Sequence, residues 1–217
     1  MPPIILMSDP RIVDIPVREC GEPLVDLRQL PFVDVDDRLA DAAGAYAQLR
    51  EGVAWRLARA ARLLPEGLRL LVTEGYRPLP LQIQYFDAYA AELRLAHPDW
   101  TEDHLHRQAS RSLSPPDVGP HVAGAAVDLT LATTSGTELD LGTPVNASPE
   151  ESDGACYTQT DRISADARAH RRTLAAALGT AGLVNYPTEW WHWSYGDRYW
   201  AHTTGADAAH YGPVTHG

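Results

Sequence analysis

Cysteine is nearly absent from this 217-residue chain: Cys20 and Cys156 are its two, far apart and in no metal-type pair spacing. That excludes a disulfide framework and a thiolate metal site. Basic residues are also few, 18 Lys and Arg against 29 Asp and Glu, for a formal net charge of -11. A chain this acidic, with no basic run beyond Arg171-Arg172, repels phosphate backbones, which argues against a nucleic-acid partner. Apolar runs break well short of the roughly 18 residues that span a bilayer. "MPPIILMSDP" lacks the basic start and the hydrophobic region of an export signal. No membrane partner and a cytoplasmic location are therefore expected. No internal repeat is visible, and nothing in the sequence sets an oligomeric state.

Hydrophobic content of 44% with 22% charged residues is ordinary for a globular chain, and 17 prolines with 16 glycines point to many defined loops. One domain over 1–217 is expected, with an irregular N-terminal arm at 1–38 and a C-terminal tail at 201–217. From Leu39 onward, Tyr46, Leu49, Val53, Leu57, Ala60 and Leu64 recur at helical steps, until Pro65 and Gly67 stop the pattern. Leu70–Val72 reads as a short buried strand that ends where Gly75 and Pro78 turn the chain. Helical spacing returns over 79–96 and over 101–110, where Thr101 is the N-cap. Ala125–Ala132 is a second strand, 143–160 a loop, and 164–178 a last helix that ends near Gly182. A final strand carries "TEWWHWSYGDRYW". Intermixed elements of this kind predict an α+β fold with a small, mostly antiparallel sheet and helices packed around it.

Of nine histidines, His97, His104, His106 and His170 sit in polar helical stretches, and His202, His210 and His216 lie in the tail. His121 and His192 differ in their company. "PHVAGAAVD" sets Asp128 seven residues after His121, and "EWWH" sets Glu189 three before His192. Two imidazoles and a carboxylate make a three-ligand zinc site with an open position, and the remaining glutamate can serve as base. Alternation on a strand opposes this, because residues at odd separations face opposite ways. His121 must then lie on the loop before the strand, with Gly124 turning the chain, and Glu189 at the start of its strand or on a bulge. The same alternation puts Trp191 and Trp193 behind the sheet and Trp190 on the cleft wall.

"TEGYRP", "HVAGAAVDLTL" and "EWWHWSYGDRYW" together resemble the VanX-type zinc D-alanyl-D-alanine dipeptidases, within the wider zinc D,D-peptidases, over about 39–200. The resemblance implies an α+β domain with its site in a cleft across the sheet. It also implies one Zn2+ held by His121, Asp128 and His192, with Glu189 as general base and Arg77 stabilising the oxyanion. It departs from the family at two places that handle substrate. Gly119 stands where a serine is usual, and Asn146 where an aspartate binds the free amino group. Hydrolysis of a small D-configured dipeptide, D-Ala-D-Ala foremost, is therefore the expected function. A D,D-carboxypeptidase trimming peptidoglycan stem peptides is the alternative within enzymes. A zinc-stabilised binding domain without catalysis is the alternative outside them, against which the retained Glu189 argues.

Overall fold

The computed structural model describes residues 4–31, 33–111 and 113–214, so His216 of the expected tail lies outside the described residues. In chain order the elements are α1 (Pro10–Val13), β1 (Leu24–Asp26), β2 (Val33–Val35), β3 (Gln48–Arg50), α2 (Glu51–Ala61), β4 (Leu68–Glu74) and α3 (Leu79–Ala96). They are followed by α4 (Glu102–Ala109), β5 (Ala126–Thr133), α5 (Ala165–Thr180), β6 (Val184–Asn185), β7 (His192–Ser194) and α6 (Arg198–Thr204). The main sheet has five strands in the order β2-β4-β5-β7-β6, and β1 with β3 forms a separate antiparallel pair. Only β2–β4 is parallel in the main sheet. The architecture is α+β with a mostly antiparallel sheet, as expected.

The residues read as an arm carry α1, β1 and β2, and β2 forms an edge of the main sheet beside β4. The tail is also packed: Ala209 bridges to Val17, and the buried Tyr211 donates its hydroxyl to Glu22 at 2.6 Å. Among the described residues no helix is long and apolar enough to cross a membrane.

The helix expected from Leu39 begins only at Glu51. Tyr46 falls in a 3-10 turn (Ala45–Ala47) and Leu49 in β3. Both are buried, so the apolar spacing is real, but local pairing overrides the helical period here. The Gly75 amide donates to Tyr46 O at 2.6 Å, Tyr76 to Gln48 O at 2.7 Å and Arg50 to Gly124 O at 2.9 Å. Helix α2 then buries Val53, Ala54, Leu57, Ala60 and Ala61 against the sheet and α5. Thr101 caps α4 by accepting from the His104 amide, as expected from sequence.

Val127, Leu129 and Leu131 of β5 enter this core, along with Leu70 and Val72 of β4. Alternation therefore turns Asp128 and Thr130 to the opposite face of the sheet. Strand β4 would carry Glu74 into the core with Leu70 and Val72, but a bulge between Val72 and Glu74 shifts the register. The extra residue brings Glu74 opposite Asp128, on the side away from α2 and α5.

Just beyond β4 the backbone of Gly75 is pressed against β3: a Cβ there would lie 2.4 Å from Gln48 O and 3.1 Å from Tyr46 O. Neither carbonyl can yield without breaking its hydrogen bond. Gly75→Ala is expected to destabilise the protein by about 1–3 kcal/mol. A urea titration checks this, with a lower midpoint at unchanged slope as the expected outcome.

Candidate active site

Asp128, the third residue of the central strand, is paired on both sides, with Glu74 of β4 and His192 of β7. Directly opposed residues share a face, so the three side chains form a row across the sheet. His121 reaches the row from a tight turn ahead of β5. The Gly124 amide donates to His121 O and that of Ala125 to Pro120 O, each at 3.0 Å, with Gly124 at φ 65°. This is the change of direction the sequence required of Gly124.

The His121 ring is oriented by its Nδ1–H, which donates to Gly75 O at 2.6 Å. That leaves Nε2 with a free lone pair in the neutral ring. Nε2 lies 3.2 Å from His192 Nδ1 and 3.3 Å from Asp128 Oδ1, and His192 Nδ1 lies 3.0 Å from the same oxygen. Ligands about 2.0–2.1 Å from a tetrahedral zinc are separated by about 3.3 Å, so these donor atoms already stand at the edges of such a tetrahedron. Among the described residues, these three are the one group of His, Cys, Asp and Glu side chains so clustered. They fit a divalent metal in number, type and spacing.

Glu189 completes the set from outside it. Strand β7 starts only at His192, so "TEWW" is a turn rather than strand: the Glu189 amide donates to Tyr186 O at 3.0 Å and that of His192 to Glu189 O at 3.3 Å. The turn removes the parity conflict and leaves Glu189 Oε2 3.7 Å from His192 Nδ1. Its side chain is 13% exposed and lines the cleft. Burial, reinforced by the Asp128 carboxylate, raises its pKa well above the usual carboxylate range, against the pull of Arg77. Burial also acts on Asp128, but the two imidazoles overcome it and hold that carboxyl well below the usual range. Two carboxylates a few ångströms apart are thus set for different work.

Arg77 is buried, and its Nε donates to Glu74 Oε1 at 2.7 Å, with Nη2 on the other carboxylate oxygen. Nη1 donates to Gln82 Oε1 at 2.8 Å, and Gln82 passes the chain on to Ser114 O at 2.7 Å. The Arg77 amide itself donates to His121 O at 3.1 Å, so the cation and the ligand loop are one unit. Sequence reasoning singled out Arg77 but missed Glu74 and Gln82. Glu74 stands inside "TEGYRP" but beyond the strand read at Leu70–Val72, and only the bulge turns it to the row.

The row forms the floor of a cleft of about 690 Å3, whose lining includes Asn146, Tyr186 and Trp191. Asn146, exposed and left-handed at φ 66°, does face this cleft. Trp190 does not. It is 2% exposed, donates its indole N–H to Thr143 Oγ1 at 2.8 Å, and lies beneath the Arg171 guanidinium. The two tryptophans exchange their expected roles because the turn ahead of β7 breaks the alternation. Gly119 is not in the cleft wall either; a Cβ there would meet Pro115 O and Val122 Cγ2 at 3.4 Å. Arg171 donates to the carbonyls of Leu141, Tyr157 and Ala155 at 2.7–2.9 Å, pinning both ends of the wall that carries Asn146. Burial lowers its pKa to about 10. A larger hollow of about 830 Å3 lies beyond Glu150, lined by Arg111, Tyr157 and Arg162 among others, and holds none of the row.

Fold and site together are those of a peptidase. Residues 35–208 match the Peptidase M15 family, described as D-ala-D-ala dipeptidase, and the chain belongs to that family. A D-alanyl-D-alanine dipeptidase of Synechocystis sp. is 30% identical over 241 residues, covering 92% of this chain and 95% of that protein. Among solved structures, the LdcB LD-carboxypeptidase is 18% identical with a TM-score of 0.48, over 87% of this chain and 75% of that one. The D,D-pentapeptidase VanY, in complex with Zn(II), is 17% identical with a TM-score of 0.41, over 96% and 94%.

The buried Arg77–Glu74 pair yields a stability prediction. Glu74→Ala leaves a buried, unpaired guanidinium and is expected to cost about 3–5 kcal/mol, whereas replacing both partners by methionine costs much less. Denaturant unfolding of the single and double variants checks this; a single variant as stable as wild type contradicts the pairing.

Proposed function

We propose that the chain hydrolyses a small D-configured dipeptide, with D-alanyl-D-alanine the foremost substrate, in a zinc-dependent reaction. One domain in the cytoplasm carries it out. The observation that bears this reading is the convergence of His121, Asp128 and His192 with Glu189 beside them at the floor of a cleft. The family match and the curated dipeptidase relative support the substrate class.

His121 Nε2, one Asp128 oxygen and His192 Nδ1 would hold the ion. When bound, zinc acts as a Lewis acid that polarises the scissile carbonyl and makes water nucleophilic near neutral pH. The remaining work belongs to side chains. Glu189, beside His192 Nδ1 at the floor of the cleft, accepts the proton of the attacking water and delivers it to the leaving amine. Arg77 commits three N–H groups to Glu74 and Gln82 and lines the cleft, so its charge is held in place to receive the developing oxyanion. Trp191 and Tyr186 wall the site and limit water. Asn146 offers an amide oxygen to an ammonium but no charge.

That neutral residue favours the second reading, a D,D-carboxypeptidase that takes N-acylated stems. Assays of D-Ala-D-Ala, its N-acetyl form and L-Ala-L-Ala separate the two: cleavage of the acetylated form alone would overturn the dipeptidase. Glu189→Gln is expected to keep about one zinc per chain while kcat falls about 100- to 10,000-fold. Arg77→Ala is expected to lose about 100- to 1,000-fold in kcat. If zinc binds and no D,D or N-acyl-D,D substrate turns over with wild type, the binding-domain alternative stands in its place.

A further inference from the structure

The turn that delivers Glu189 and His192 is closed by a side chain outside the reacting groups. Asn185, the last residue of β6, donates from Nδ2 to the carbonyls of Glu189 and His192, each at 2.9 Å, with that of Trp190 at 3.5 Å. Carbonyls only accept, so the amide nitrogen must face them, and the Asn185 oxygen is left for Thr158, whose Oγ1 donates to it at 2.5 Å. The Thr158 amide meanwhile donates to Pro187 O at 3.0 Å, tying the same turn from its other side. The Asn185 backbone is paired with Trp193 in the β6–β7 ladder.

Because β7 begins at His192, the Glu189 carbonyl has no ladder partner. Its other hydrogen bond is the long one, 3.3 Å, from the His192 amide. One primary amide therefore bridges the main chain of the base to that of the ligand, from a residue whose own position is fixed by the sheet and by Thr158. We infer that Asn185 is a positioning residue that sets Glu189 against His192. This rests on the proposed role of Glu189 as base. Displacement of a reacting group by about 1 Å costs about 100-fold in rate, so a small relaxation of this turn would be visible in turnover.

Asn185→Asp keeps the size and the acceptor for Thr158 but removes both donors and sets a carboxylate against two carbonyls. At saturating Zn2+, kcat on the best dipeptide is expected to fall about ten- to hundredfold with KM within about twofold. In the Glu189→Gln background the same change is expected to lower kcat by no more than about twofold, since the group it positions is already gone. Equal losses in both backgrounds, an unchanged kcat, or an effect confined to KM overturns the inference. Should Asn185→Asp fail to fold, Thr158→Val, which only loosens the amide, enters the same cycle with a smaller expected loss. Affinity for Zn2+, measured by chelator competition, does not depend on turnover. Asn185→Asp is expected to weaken it about tenfold through the His192 main chain. If wild type cleaves no dipeptide, the base role fails separately, and unchanged Zn2+ affinity then overturns the positioning of His192.

Discussion

The register of three strands governs everything else in this molecule. Glu74, Asp128 and His192 stand side by side because β4, β5 and β7 pair at one setting, and a slip of one residue would turn Asp128 toward Leu129's side of the sheet. Those pairings join segments far apart in the chain, so the sheet as a whole, and no single segment, assembles the row. The apolar alternation of β5, with Val127, Leu129 and Leu131 all fully buried, is what makes the slip costly.

Burial then decides how the charges behave. Glu74, Asp128 and Glu189 bring three carboxylates to a site with a single guanidinium, Arg77. One guanidinium, held in a bidentate pair by Glu74, cannot balance three carboxylates, so net negative charge remains where Glu189 stands beside Asp128. Two such charges in a poorly solvated place repel, and either a proton or a dication resolves the conflict. The raised proton affinity of Glu189 and the tetrahedral spacing of the nitrogen and oxygen donors express one electrostatic condition.

Much of this was legible in sequence. His121, Asp128 and His192 stood out by their company, and parity along β5 forced His121 onto a loop with Gly124 as its pivot, as found. The helix at 51–61 was read too early because Tyr46 and Leu49 keep the apolar spacing of a helix while belonging to a turn and a strand. Periodicity reports which side chains are buried, not which backbone buries them. Glu74 was missed for the opposite reason: a one-residue bulge inverts its side, and a bulge between Thr73 and its neighbours has no signature in composition. Trp190 and Trp191 were exchanged because alternation was extended through a turn.

Arg171, from helix α5, holds the carbonyls of Leu141, Ala155 and Tyr157. The wall between them, with Asn146 at its cleft edge, is therefore suspended from a helix, while the row of Glu74, Asp128 and His192 is rooted in the sheet. The cleft wall and the row thus have different main supports, joined where the Trp190 indole donates to Thr143 Oγ1 at 2.8 Å. Change at the exposed Asn146 edge is thereby set apart from the row, while Thr143 ties the same wall to the turn that carries Glu189.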